Sequence, residues 1–240
     1  MSTVGDLSEQ TAAVVGAGRG LGRAAALALA RHGASVVIAS RTKSELDAVG
    51  AEIARGGGRA RALVADAALE ENAQYIIDGA LDFGGRLDLL VVCAGAALIK
   101  PLPEVTFAEW EHVFAMNARS VFLTNRAALG PMLAGGRGLI VNMASRAGIA
   151  GAPNVTAYTA AKAAVIGFSR ALAMEVKPRG IRVACLAPGP MDTPMRWTAT
   201  PDIDPARLIS TDAVADLILY LAGHPKVTLE DPVIPVSTRL

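Results

Sequence analysis

The chain carries little of what several function classes require. It has two cysteines and three histidines in 240 residues. Cys93 and Cys185 sit inside apolar runs with no CxxC spacing and no Cys or His neighbour, so they read as small buried hydrophobes rather than as a disulfide or zinc framework. His32, His112 and His224 have no partner at metal-ligand spacing and read as structural or surface residues. No metal is expected. Charge of one sign is missing too: 23 Lys+Arg stand against 22 Asp+Glu, a net charge of +1. With no basic cluster to compensate, the electrostatic footprint of a nucleic-acid binder is absent. The longest uncharged apolar run, Leu89 to Ile99 between Asp88 and Lys100, falls well short of the roughly 18 residues of a membrane helix. Met1 to Gln10 is polar, with Asp6 and Glu9, and lacks the basic stretch and apolar core of a signal peptide. A cytoplasmic chain that meets neither membrane nor nucleic acid is expected. No low-complexity tract, fixed repeat or dividing linker is present, which predicts one domain over residues 1–240.

What is there is an alternation. Runs of apolar residues recur at Ala12 to Val15, Ser35 to Ala39, Ala60 to Ala65, Leu87 to Cys93, Leu139 to Ala144, Ile181 to Leu186 and Pro232 to Val236. Such uniformly apolar strands are buried on both faces, as in a parallel sheet. Helical punctuation lies between them. The pattern Leu21 to His32 stops at Gly33, and Thr42-Lys43-Ser44-Glu45 and Thr106-Phe107-Ala108-Glu109 each fit a capping box. A long pattern from Ala157 stops at Lys177-Pro178-Arg179-Gly180, where Pro lacks the amide needed to continue. Strand and helix alternating about seven times predict right-handed crossovers and a doubly wound α/β fold, a seven-stranded parallel sheet of Rossmann type. The least regular stretch, Pro188 to Asp204, contains Pro190, Pro194 and Pro201, with Pro205 just beyond. It reads as a substrate loop over about 188–210.

The first strand runs into Gly16-Ala17-Gly18-Arg19-Gly20-Leu21-Gly22 and then a helix. Glycines there let a backbone approach a phosphate, which the free amides of a helix N-terminus attract. GxGxxG is not met, because its third glycine position is Leu21; GxxxGxG is met by Gly16, Gly20 and Gly22. Taken alone, the turn suits a dinucleotide, S-adenosylmethionine or a tight turn. The second strand ends at Ser40-Arg41 with no acid at its tip. An acid at this place bonds the ribose 2′-hydroxyl, whereas Arg accommodates a 2′-phosphate. Arg41, helped by Arg19, therefore favours NADP(H) over NAD(H). Tyr158 and Lys162, four apart, share a helical face. Lys162 beside the Tyr158 hydroxyl would lower the phenol pKa and make Tyr158 a candidate acid/base. Ser145 lies at the end of the preceding strand, where ligand-facing groups of an open α/β sheet gather.

These residues resemble the short-chain dehydrogenase/reductase family in its compact single-domain form, over nearly the whole chain from Ala12 to about Pro235. Gly16, Gly20 and Gly22 are similar to its cofactor turn, Asp66 to the acid that contacts adenine, and Asn117 to its active-site Asn. Ser145 precedes Tyr158 by 13 residues, as in the family, and Lys162 completes YxxxK. Pro188-Gly189 with Thr193 is similar to the turn against the nicotinamide. The resemblance implies hydride transfer between a nicotinamide and a carbonyl or alcohol carbon. It implies that Tyr158 moves the proton, Ser145 holds the substrate oxygen, Lys162 bonds the nicotinamide ribose, and Asn117 holds a water linking Lys162 to solvent. It further implies cofactor contacts at Leu21, Ser40, Ala67, Cys93, Ala94, Gly95 and Met191, and subunit contacts through the helices near Trp110 and Tyr158, giving a homodimer or homotetramer.

Three departures stand out. Val15 replaces the usual Thr before the glycine turn, Val92-Cys93-Ala94-Gly95 replaces Asn-Asn-Ala-Gly, and Glu230 to Leu240 lacks the frequent Asp-Gly-Gly close. All three bear on cofactor affinity or stability rather than on the reacting groups. Phe107, Trp110 and Phe114 read as a packing stripe. Met191, Met195 and Trp197 are candidates for an apolar substrate wall suiting a ketone or 3-oxoacyl substrate, or else they seal the core edge. Two other functions remain open on the residues alone: an idle NADP(H)-binding regulator, which has no need of the Ser-Tyr-Lys set, and an S-adenosylmethionine-dependent methyltransferase, which Arg41 argues against.

Overall fold

The computed structural model describes residues 5–238. Met1 to Val4 of the polar N-terminal stretch, and the last two residues of the Glu230 to Leu240 ending, lie outside them. The expected alternation forms: β1 (Thr11–Val15), α1 (Gly20–Arg31), β2 (Ser35–Ser40), α2 (Lys43–Arg55), β3 (Arg59–Val64), α3 (Glu70–Gly84) and β4 (Leu89–Val92). There follow α4 (Phe107–Phe114), α5 (Ser120–Gly135), β5 (Gly138–Met143), the short α6 (Ala147–Ala150), α7 (Thr156–Val176), β6 (Ile181–Pro188), α8 (Pro194–Ala199), α9 (Thr211–Gly223) and β7 (Val233–Val236). All seven strands pair in parallel in one sheet, in the order β3-β2-β1-β4-β5-β6-β7.

Alternation along the strands divides two apolar layers. Val14, Ile38, Val91 and Val141 face α1, α2 and α9, while Val15, Val37, Val92 and Ile140 face α3, α5 and α7. Seven alanine and leucine residues in a row, Ala24 to Ala30, are buried in α1; their small volume lets the helix lie close to the sheet and to α9. β3 departs from the expectation of a strand buried on both faces. It is the sheet edge, with Arg59, Ala62 and Val64 exposed. β4 is shorter than its apolar run because Asp88 belongs to the sheet floor, where its carboxylate accepts from the Thr11 amide at 3.0 Å and from Arg86 at 2.5 and 2.7 Å.

Helix ends follow the punctuation with one exception. Gly33 (φ +96°) and Gly180 (φ +77°) supply the left-handed turns after α1 and α7. The Thr106–Glu109 box closes as expected, with Oγ1 of Thr106 accepting from the Glu109 amide at 3.2 Å and Glu109 accepting from the Thr106 amide at 2.8 Å. Thr42 makes no side-chain cap on α2, and the Glu45 carboxylate lies toward Arg19, at 3.6 Å. The aromatic stripe is also only partly a packing face: Trp110 stacks on Phe114 with centroids 4.7 Å apart, whereas Phe107 is 80% exposed.

Candidate active site

In an open α/β sheet the ligand crevice lies beyond the carboxyl ends of the strands, where the strand order reverses. Here that point falls between β1 and β4, and an open cleft of about 210 Å³ lies there. β1 passes directly into the glycine turn. The Gly16 and Ala17 amides donate to the Ala39 carbonyl at 2.8 and 3.1 Å, locking the turn to β2. Gly16 has φ +81°, and a Cβ there would lie 2.6 Å from the Ala94 nitrogen. The turns after β1 and β4 therefore touch through bare backbone, a place only glycine can fill. Gly20 (φ +55°) opens α1 opposite the Thr193 methyl. Arg19 precedes the helix with extended backbone and no side-chain cap, which leaves the first-turn amides of Gly20, Leu21 and Gly22 without intrahelical acceptors at the cleft wall.

Along the cleft toward β2 lie Ser40 and Arg41. The Ser40 hydroxyl is buried without a protein partner, and Arg41 makes only a long contact, 3.7 Å, to the Met116 sulfur. Asp66 and Ala67 follow β3; one Asp66 oxygen accepts from the Ala68 amide at 3.0 Å. Cys93, Ala94 and Gly95 continue from β4 along the same wall. Cys93 is partly exposed there rather than wholly buried, and desolvation of its sulfur pushes the thiol up to about 12. Glycine-shaped walls, a helix start with open amides, and an unpartnered hydroxyl fit a dinucleotide.

The chemical groups gather at the opposite end. Between α4 and α5 the helix takes a π-helical turn over Ala115–Arg119, a local irregularity common at functional sites. It carries Asn117, wholly buried, whose Nδ2 donates at 2.8 Å to the carbonyls of both Ala96 and Val113. Its Oδ1 is left without a protein partner. A Cβ on Gly95 would meet that oxygen at 2.7 Å and the Lys162 Nζ at 3.5 Å, so Asn117 and Lys162 converge on one point. Lys162, 4% exposed, donates from Nζ to the Met143 carbonyl at 2.7 Å. Burial pushes its ammonium down to about 8.

Tyr158 departs from the expectation of a lowered phenol. The Lys162 Nζ lies 5.8 Å from the ring centroid, drawn to the β5 carbonyl rather than to the hydroxyl. Burial pushes the Tyr158 phenol up, only partly offset by a hydrogen bond with Ser145 and by the Arg196 charge. Ser145 stands just past β5, where its Oγ also accepts from the Ala147 amide at 3.2 Å.

Pro188 at the end of β6, and Met191 and Thr193 beyond it, line the cleft. Thr193 caps α8 by accepting from the Arg196 amide at 3.2 Å. Gly189 lies outside the lining, its amide given to the Val236 carbonyl at 2.8 Å. Met195 lines the cleft, whereas Trp197 does not and donates to Asp192 at 2.7 Å. Glu45, on the cleft lining, and Arg196, whose charge acts on Tyr158, have no distinct signature in the sequence. In sequence Glu45 fits a capping box, and Arg196 is one cation in a Pro-rich loop.

A family model described as short chain dehydrogenase matches residues 10–204. The chain belongs to this family. Among its relatives, a 3-oxoacyl-[acyl-carrier-protein] reductase of Synechocystis sp. is 38% identical over 225 residues, 91% of either chain. A cyclopentanol dehydrogenase of Comamonas sp. is 38% identical over 192 residues, 80% of this chain and 77% of that one. An actinorhodin polyketide ketoreductase variant solved with NADPH superposes with a TM-score of 0.89 at 27% identity, covering 95% of each chain. As a short-chain dehydrogenase the chain is an oxidoreductase acting on CH–OH or C=O groups with a nicotinamide cofactor. Among the described residues no helix is long and apolar enough to cross a membrane.

Proposed function

We propose that the chain is an NADP(H)-dependent reductase of a ketone or 3-oxoacyl carbonyl, with Asn117, Ser145, Tyr158 and Lys162 as its catalytic residues. The observation that carries this is the meeting of Tyr158, Lys162 and Asn117 at one end of a cleft whose other end offers glycine amides and arginines, with Ser145 outside the lining but hydrogen-bonded to Tyr158. When bound, a nicotinamide exchanges a hydride with the carbonyl carbon. The Ser145 and Tyr158 hydroxyls, hydrogen-bonded to one another, hold the substrate oxygen, and Tyr158 gives it a proton as negative charge develops there. A phenol pushed up by burial is protonated at neutral pH, which suits the reducing direction. Once it has given up its proton, the phenolate faces two cations, Lys162 and Arg196. The unpartnered Asn117 oxygen, close to the Lys162 ammonium, is placed to accept from a water that would pass a proton from solvent to Lys162.

Arg41 and Arg19 support NADP(H), since guanidinium forks match a phosphate. Residues from about 188 to 210 form the substrate loop, with Met191 and Met195 its apolar wall. Exposed Phe122 on α5 (44%) and Met174 on α7 (79%) support a homodimer or homotetramer. The free thiols Cys93 and Cys185 suit a reducing compartment, the cytoplasm. The test is fluorescence titration with NADPH, followed by ketones and 3-oxoacyl thioesters while NADPH absorbance is recorded. Tight binding with turnover is expected; binding with no turnover across a wide panel would favour an idle regulator, and absence of binding would defeat the proposal.

A further inference from the structure

The capping box expected at α2 is open, and its acid, Glu45, lines the cleft. Four residues that would satisfy each other locally, as Thr106 and Glu109 do, instead leave Thr42 without a cap bond. The Glu45 carboxylate turns to the adenosine end of the cleft. Its Oε1 lies 3.6 Å from Arg19 Nη1. Its Oε2 would be 2.6 Å from a Cβ on Gly18, and the unpartnered Ser40 hydroxyl 2.9 Å from the same point. A carboxylate, a hydroxyl and the Arg19 guanidinium thus meet at the glycine turn near the end of β2, with Arg41 on the same cleft lining, a place where the strand tip itself carries no acid.

Resting on the nicotinamide dinucleotide reading above, we propose that Glu45 is a specificity-determining residue that narrows the preference for the phosphorylated dinucleotide. It engages Arg19, one of the two cations available to a 2′-phosphate, and places like charge beside that phosphate. It also offers an acceptor to a free 2′-hydroxyl, the role an acid at the tip of β2 serves in NAD(H) sites. The Glu45 side chain is 31% exposed and that of Arg19 66%, so solvent screens the effect to at most about fivefold.

The experiment measures Kd for NADPH and NADH by fluorescence titration of the wild type, Glu45→Gln and Asp47→Asn. Asp47 lies on the same helix, pairs with Lys43 at 2.7 Å and is not part of the cleft wall, so it reports any general effect of removing negative charge. Glu45→Gln is expected to raise the ratio of NADH to NADPH Kd by about threefold to fivefold, with Asp47→Asn leaving it unchanged. An unchanged ratio in Glu45→Gln, or an equal rise in Asp47→Asn, overturns the inference while the cofactor reading stands. A wild type that binds neither nucleotide overturns the cofactor reading and this inference with it.

Discussion

Tyr158 and its neighbours show how environment, more than spacing, sets the state of a reacting group. The four-residue interval to Lys162 predicts a phenol acidified by an ammonium, yet Lys162 donates to the Met143 carbonyl and burial governs Tyr158. Tyr158→Phe keeps the ring and removes the proton, so kcat should fall by at least about 100-fold with NADPH Kd little changed; steady-state kinetics and a binding titration check both halves. The Arg196 charge works in the other direction, lowering the phenol pKa. Removing it in Arg196→Gln should move the rise of alcohol oxidation, which needs the phenolate, to higher pH, and a pH–kcat profile against wild type reads that displacement. Arg41→Asp should weaken NADPH binding more than NADH binding, because only the former brings a 2′-phosphate; equal losses would make Arg41 a surface residue.

At the scale of the element, helix starts that look alike in sequence are not alike in energy. Thr106→Ala removes a closed box and should cost about 1 kcal/mol, whereas Thr42→Ala removes a hydroxyl that bonds nothing on α2 and should cost far less. Denaturant unfolding of the two variants checks the contrast. Glu109 is held down to about 2 by the Thr106 amide, and then by Lys100 and the Thr106 hydroxyl. Its contribution is therefore complete above the ordinary carboxylate value of 4.5 and is lost as pH falls toward 2. Strand existence and order of appearance were legible because seven apolar runs are separated by Gly, Pro and capping residues. The exposure of β3 was not, since edge position depends on which strands pair, a property no single run encodes. Nor could the π-helical turn at Asn117 be read from Phe114-Ala115-Met116-Asn117, because a one-residue change of helical pitch leaves no periodic signature in so short a segment.

Across the whole molecule, the site is assembled from the carboxyl ends of β1 through β6, so its parts lie far apart in sequence and close in space. The ordered set of Gly16, Asp66, Asn117, Ser145, Tyr158 and Lys162 made most of it legible. What remained hidden were side chains whose local role competes with a distant one, Glu45 above all. The exposed apolar side chains on α5 and α7, Phe122 and Met174, belong to this scale as well. Light scattering should give at least twice the 24.6 kDa chain mass, and Phe122→Asp should shift the distribution toward that single-chain mass; a monomeric wild type would remove the assembly reading.

The sheet order carries a consequence for the chain's birth on the ribosome. β1 lies between β2 and β4, yet β4 is translated after β2 and β3. Until Leu89 to Val92 emerge, a nascent chain that has already paired its first three strands offers the whole free side of β1, an apolar strand with unmatched amides and carbonyls, to whatever is nearby. Translation speed and early chaperone contact through that interval should therefore govern the yield of soluble protein more strongly than events after residue 92, when β4 seals the edge.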